Sequence, residues 1–301
     1  MASLREVRRK IGSIKNTQQI TRAMKMVATA RLRRAQQHIL SARPFAQRME
    51  ELIHDLMARI QAEASSDWDN RVIGRLHPLL EKRASDQEIL VIVTADKGLC
   101  GSFNTHVIRR SLEWIQEKKT HGKTVHLFLV GRKGRDFFRR ISPLTKEYVN
   151  FFTRLSAAHS NLIGDDLIQF YLEKPIAQVT LIYQSFVSVI QQKLMVETLL
   201  PIAQVAPSTQ HPAPSKMGYL YEPAKEEILK ALLPRYLKGR IYRILLESYA
   251  AELGARMAAM ESATKNAKEI IAGLTLQANK TRQAMITKEI AELVGSAEAL
   301  N

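Results

Sequence analysis

The residues best suited to chemistry are the eleven from Thr94 to Asn104, Thr94-Ala95-Asp96-Lys97-Gly98-Leu99-Cys100-Gly101-Ser102-Phe103-Asn104. They follow an apolar, strand-like run and open a helical pattern. Two glycines, a lysine and a row of backbone N–H groups there have the makings of an anion cradle. Cys100 has the type of a nucleophile. The same residues also read as a tight strand-to-helix turn, with glycine for an unusual φ and Ser102 as the helix N-cap. No base partner for Cys100 is identifiable, and the turn is the stronger reading.

Other chemical signatures fail on spacing. His121-Gly122-Lys123-Thr124 contains GKT, but a phosphate-binding loop needs glycine where Glu117 stands. Gly131-Arg132-Lys133-Gly134 follows a strand without completing GxGxxG. The eight histidines form no HExxH and no ligand-spaced pair, and no GxSxG elbow occurs. Asp165-Asp166 reads as a pair of first-turn acids complementing a helix dipole. The residue types therefore predict no catalytic, cofactor or metal site.

The elements around these residues carry the stronger signal. The chain has 301 residues, 46% hydrophobic and 25% charged, with 6% aromatic residues and a single cysteine. That excludes a disulfide framework, a zinc ribbon and a CxxC pair. No apolar run approaches the ~20 residues of a membrane span. Forty-five basic against 29 acidic residues give a net +16. Residues 1–48 hold twelve Lys/Arg and only Glu6, whereas 250–301 hold six of each sign.

Apolar spacing predicts a long helix at each end. Leu4, Val7, Ile11 and Ile14, then Leu32, Ala35, Ile39 and Ala42, then Phe45, Met49, Leu52 and Leu56 keep steps of three and four. Ser3 and Glu6 complete a capping box, and Pro44 is the one interruption. About 58 residues at ~1.5 Å each would span roughly 87 Å. From Arg235 to about Glu298 the second helix would span ~96 Å, and within it Leu253, Met257, Met260, Thr264, Ala267, Ile271, Leu274 and Ala278 keep a strict 4, 3 alternation. That is a coiled-coil seam. The stripe then shifts to Ile286, Ile290, Leu293, Ala297 and Leu300. The simplest burial of both stripes pairs the two helices antiparallel.

The middle alternates strands and helices. Glu88–Ala95, Val125–Gly131, Ala177–Phe186 and Leu194–Ile202 read as strands, the last two as a hairpin at one edge. Helical patterns occupy about 102–118, 132–141 and 161–172, the last capped by Ser160. This is an α/β domain with a mainly parallel sheet. The predicted boundaries are an N-terminal helix 1–61, a linker 62–86, the α/β domain 87–206, a linker 207–222 and a C-terminal helix 223–301.

The basic N-terminal helix has three readings. As a targeting peptide it lacks a break or cleavage-like site before Leu56. As a nucleic-acid arm it has no aromatic residue before Phe45 to stack on bases. As the solvated face of a coiled coil meeting an acidic protein it needs neither, and the net charge then steers and centres the rod. A basic coiled-coil nucleic-acid-binding protein remains the alternative.

Specific residues then carry a resemblance. Ile20-Thr21-Arg22-Ala23-Met24-Lys25-Met26-Val27-Ala28 resembles the N-terminal motif of the gamma subunit family of F-type ATP synthases. So do Ala255-Arg256-Met257-Ala258-Ala259-Met260, with Ala263-Thr264-Lys265-Asn266-Ala267, and the stretch Asn279-Lys280-Thr281-Arg282-Gln283-Ala284-Met285-Ile286-Thr287-Lys288-Glu289-Ile290-Ala291-Glu292. The Asp96–Asn104 turn is similar to the family's Gly-Leu-Cys-Gly turn. The motifs span essentially the whole chain.

The resemblance implies a long antiparallel coiled coil of the two terminal helices plus a central Rossmann-like domain that binds no dinucleotide. It implies a rotor shaft inside a ring of three alpha and three beta subunits, with the α/β domain against the epsilon subunit and the c-subunit ring. It implies no cofactor, no nucleic acid, and membrane contact only through partners. Lys25 would face an acidic region of a beta subunit, Arg256 would lie mid-rod, Arg282 and Gln283 would hydrogen-bond a beta-subunit loop, and Thr287 and Glu289 would be coupled to that pair. Two departures stand out: Ser296-Ala297 replaces a usual Gly-Ala, and the chloroplast insert with paired cysteines is absent, so thiol regulation is not expected. With no separate leader before Leu4, the expectation is a bacterial subunit held peripherally on the cytoplasmic side of the inner membrane.

Overall fold

The computed structural model describes residues 3–63, 76–153, 155–202 and 224–298. Residues 64–75 of the first predicted linker and all of 207–222 lie outside them. Two long helices frame the chain, α1 (Leu4–Glu63, 60 residues) and α5 (Lys225–Glu298, 74 residues). Each passes through both compact units, one made of Met1–Ala30 with Arg256–Asn301, the other of Arg31–Ala255.

In the first unit α1 and α5 run antiparallel. Thr21 meets Thr264, Lys25 pairs with Glu261, and Thr29 reaches Met257, so rising numbers on one helix face falling numbers on the other. The α1 seam is Leu4, Val7, Ile11, Ile14, Gln18, Thr21, Lys25 and Ala28, and the α5 seam is Met257, Met260, Thr264, Ala267, Ile271, Leu274, Ala278 and Thr281. Both keep the 4, 3 step of a left-handed coiled coil. The α5 seam is the predicted one. On α1 the seam runs through polar residues, and Ile20 (59% exposed), Met26 (61%) and Val27 (53%) lie outside it. The second predicted stripe is also outside: Ile286, Ile290 and Leu293 are exposed, because α1 begins at Leu4 and no longer lies alongside. The side chains of Ala297 and Leu300 are outside the described residues.

The second unit is a five-stranded sheet: β1 (Gln87–Val93), β2 (Thr124–Val130), β3 (Lys146–Tyr148), β4 (Ile176–Phe186) and β5 (Gln192–Leu200). The strand order is β3-β2-β1-β4-β5, parallel except for the β4–β5 hairpin. Its short helices are α2 (Phe103–Thr120), α3 (Arg132–Phe138) and α4 (Ala157–Glu173). Val107, Trp114 and Ile115 of α2 and Phe138 of α3 cover Leu90, Ile92, Leu127, Leu129 and Ile182 on one face. The other face buries Ile89, Val91, Phe128 and Leu181 against Ile163, Leu167 and Tyr171 of α4, Ile53 and Ile60 of α1, and Leu229 to Leu245 of α5. Near-continuous apolar strands are what a sheet covered on both faces requires.

Several expectations need correction. Phe45 is 66% exposed; the 4, 3 step from Ala42 lands on Ala46, and Phe45 sits ~100° around the helix. The α1 helix continues through Pro44, and α5 starts at Lys225 rather than Arg235, with Pro234 inside it. α4 is capped by Ser156, not Ser160, in a box with His159. Asp165 and Asp166 are therefore mid-helix. Asp165 pairs with Lys238 at 2.5 Å, and Asp166 binds Lys146 at 3.1 Å and the Tyr148 hydroxyl at 2.6 Å. Within the predicted linker, Leu79 and Leu80 are buried in the core on a 3₁₀ turn, Pro78–Leu80, and the Ile202 N–H donates to the Leu79 carbonyl at 2.9 Å. The three-residue strand β3 carried no sequence signal of its own.

Candidate functional site

The Thr94–Asn104 turn lies where open α/β sheets bind ligands, at the carboxyl ends of β1 and β4, where the strand order reverses. Here the chain fills that place itself. Cys100 and Phe103 are buried against Ala251 of α5, with Phe186 and Ala255 packed alongside. The Gln184 amide donates to the Phe103 carbonyl at 3.0 Å. Asn104 accepts from the Ala95 N–H at 2.9 Å and donates to Cys100 Sγ at 3.2 Å. Cys100 is 2% exposed, which withholds it from a substrate. Ser102 occupies the N-cap position of α2 but makes no side-chain cap hydrogen bond. Leu99 (φ 63°) and Gly101 (φ 59°) take the left-handed backbone that the turn requires.

The anion cradle is also occupied from within. Asp96 Oδ1 accepts from the Arg132 N–H at 3.1 Å and the Asn150 N–H at 2.8 Å, and Oδ2 from the Phe152 N–H at 3.3 Å. Its carboxylate stands where a bound anion would, tying the loop after β1 to those after β2 and β3. Gly131 (φ 95°) presses on Thr94, whose carbonyl leaves no space for a Cβ, and the Gly134 N–H donates to Thr94 Oγ1 at 2.8 Å. The glycines of Gly131-Arg132-Lys133-Gly134 serve strand–helix packing. Lys123 of the GKT sequence pairs, with Lys118, to the fully buried Glu88. A recess of about 240 Å³ beside α2, with His106, Gln184 and Gln192 in its lining, also holds Arg109 and Arg110, both held by Glu113 at 3.5 and 3.6 Å. Among the described residues no group of His, Cys, Asp and Glu is placed to hold a metal. No described helix is long and apolar enough to cross a membrane.

Charge elsewhere in this unit is structural. Burial, then the hydrogen bond to Asp166, pushes the Tyr148 hydroxyl far above the usual tyrosine range. Burial, then the neighbouring Glu197, does the same to Tyr183. Glu197 pairs with Arg240, fastening β5 to α5.

The six residues singled out by the resemblance all lie in the first unit. Lys25 sits on the seam, half-buried, and pairs with Glu261. Arg256 is half-buried on α5. Arg282, Gln283, Thr287 and Glu289 lie on the part of α5 past the end of the seam, where every residue from Arg282 to Leu293 is exposed. Thr287 Oγ1 donates to the Gln283 carbonyl at 3.0 Å. Arg282, Gln283 and Glu289 form no side-chain pair among the described residues, and their polar groups face solvent beside exposed Met285, Ile286 and Ile290. The structure thus brings four of the six together on one bare helix end and places Lys25 and Arg256 on the paired part. Residue types alone missed the Asp96 clasp, because its three N–H partners are 36 to 56 residues away.

The family model described as ATP synthase matches residues 3–300. The ATP synthase gamma chain of Anaeromyxobacter sp. (strain Fw109-5) is 44% identical over 301 residues, covering 100% of both chains. That of Geobacter metallireducens is 40% identical over 300 residues, covering 100% of this chain and 99% of the relative. A chain in the cryo-EM structure of the Tetrahymena thermophila mitochondrial ATP synthase central stalk and c-ring matches with a TM-score of 0.58 and 28% identity, over 81% of this chain and 99% of that one. A chain in the Euglena gracilis mitochondrial ATP synthase shares the fold, with a TM-score of 0.64 and 18% identity over 99% and 94%. Full-length identity of this order, joined to the helix pair and its bare end, makes the chain a member of the ATP synthase gamma-chain family.

Proposed function

We propose that the chain is the central rotor-shaft subunit of an F-type ATP synthase, coupling ion flow through the membrane sector to ATP synthesis or hydrolysis on partner subunits. The observation that carries this reading is the bare end of α5 beyond the paired seam, in a chain with full-length family identity. Its proposed partners are three alpha and three beta subunits around the helices, with the epsilon subunit and the c-ring at the α/β domain. The shaft has no catalytic residue of its own. The family assignment displaces the nucleic-acid reading.

The mechanism follows from asymmetry. A rod of two helices cannot offer equal faces to three equivalent partners, so each partner meets a different set of side chains. A contact shifts a partner's equilibrium only by its differential affinity for the two states. Taking a site from 1:99 to 99:1 needs ~5.5 kcal/mol of such difference. Turning the rod then changes nucleotide affinity in sequence, and linkage makes the reverse true for binding free energies. Arg282, Gln283, Thr287 and Glu289 would supply polar contacts at the bare end, Arg256 and Lys25 along the paired part. Glu261 holds Lys25, so Lys25 reaches a partner only as half of that pair. The excess basic charge on α1 suits an acidic collar. The bacterial relatives support a peripheral position on the cytoplasmic side of the inner membrane, reached through partners.

The test is co-purification. Tagged chain expressed with its operon partners should bring down alpha and beta in equal amounts, three of each per copy, with epsilon. Recovery of the chain alone or with nucleic acid would overturn the reading.

A further inference from the structure

Helical glycine needs a reason, since each weakens a helix about four- to five-fold relative to alanine. Gly164 has one: a Cβ there would run into the Lys238 side chain. Gly12, Gly239, Gly273 and Gly295 have none of this kind, and of these only Gly12 and Gly273 lie in the paired stretch of the two helices. Both are exposed, and nothing lies within 4 Å of where a Cβ would stand.

The register of the pair puts them together. Thr21 is bonded to Thr264. Nine residues back along α1 from Thr21 is Gly12, and nine residues on along α5 from Thr264 is Gly273. In antiparallel helices those steps reach the same height. Val7 and Ala278, both buried, continue the same register. Gly12 is the only glycine in α1, and of the four in α5 Gly273 is the one within the seam from Met257 to Thr281.

Each helix is further softened within about a turn. Thr17 Oγ1 donates to the Ser13 carbonyl at 3.1 Å, and Thr275 Oγ1 to the Ile271 carbonyl at 2.7 Å. Back-bonds of this kind compete with the helical ladder and bend it; they recur at Thr21, Thr29 and Thr264, so the glycines and the seam chemistry, not the back-bonds, single out this level. The seam at this height is Ile11, Ile14, Ile271 and Leu274, whose apolar contact is non-directional and survives small rotations. From Thr21 onward along α1 the layers are directional: the threonine pair and the Lys25–Glu261 pair.

We propose that Gly12 and Gly273 form a compliant joint, a level at which both helices bend or twist while the apolar seam stays closed. The joint goes beyond the rotor reading and belongs to the chain whether or not it turns in a ring.

Amide hydrogen exchange on the full chain tests it. In the unmutated protein, amides at 10–17 and 271–277 should exchange faster than those at 19–28 and 258–268. Gly12→Ala should slow exchange about five-fold around residue 12 and also slow it around residue 273 on the opposite helix; Gly273→Ala should do the reverse. Gly239→Ala, in equally open space on α5, reports the purely local gain of removing a helical glycine. Equal protection of the joint and its flanks before substitution would overturn the proposal. So would an effect of Gly12→Ala confined to α1, like that of the Gly239 control.

Discussion

Thr21 and Thr264, 243 residues apart, join α1 to α5 through a hydroxyl–hydroxyl hydrogen bond of 2.8 Å. Each also has a fallback acceptor one turn back, the Gln18 and Met260 carbonyls. Thr21→Val alone should therefore cost about 1 kcal/mol, since the Thr264 hydroxyl keeps its Met260 acceptor, and Thr264→Val should cost less in the Thr21→Val background than in the unmutated chain. Urea unfolding of the two single variants and the double variant gives the coupling. Strict additivity would count against a bond across the seam.

Arg282 and Gln283 face solvent, so Arg282→Ala and Gln283→Ala should leave the stability of the isolated chain within about 0.5 kcal/mol. In assembled complex each should reduce ATP-driven ion pumping more than ATP hydrolysis. Pumping and hydrolysis measured on the same vesicles decide it. Unchanged coupling in both variants removes these residues from the proposed contact set.

Asp96→Ala removes an acceptor shared by three backbone N–H groups. The expected cost is about 2 kcal/mol, in the lower half of the range for hydrogen bonds to a charged group because water reaches the site. Exchange of the Asn150 and Phe152 amides should quicken in step. Loss of stability without that quickening would place the effect elsewhere.

Tyr148 is held neutral by burial and by Asp166. Its raised folded-state pKa means that its contribution is complete below the unfolded value near 10 and is lost as pH rises beyond it, since only the unfolded chain then releases the proton. Stability should fall from pH 9 to 11, and Tyr148→Phe should flatten that fall while costing about 1 kcal/mol at pH 8. Paired unfolding curves for both proteins at the two pH values measure the difference.

Glu88 is fully buried between Lys118 and Lys123. Glu88→Ala should cost about 2 kcal/mol, less than an orphaned buried charge because both lysines reach solvent. Thermal unfolding in low and high salt checks it: screening by salt should shrink the difference only slightly for a pair this buried.

Much of this architecture can be read from spacing, and the failures are as physical as the successes. From Leu253 to Ala278 the seam alternation is unbroken, so the stripe and the seam coincide. Between Ile14 and Leu32 the seam passes through Gln18, Thr21 and Lys25, and hydrophobicity points to the wrong face. Tertiary pairing, invisible locally, decides it. β3 exists because β2 offers it an edge. Leu79 and Leu80 look like linker residues until the sheet provides a core. The candidate contact residues are legible only through resemblance, since an exposed arginine on a helix has no distinguishing local pattern.

The plugged end of the sheet has a mechanical side. Ala250 and Ala251 are wholly buried, at clusters that include Phe186 and the turn after β1, so α5 is socketed there rather than merely resting on a surface. A pull or twist on the helix at that height is shared between the end of β4 and the turn after β1 instead of falling on a single segment. What a nucleotide-handling relative of this architecture would keep open as a berth, this chain uses as a mortise.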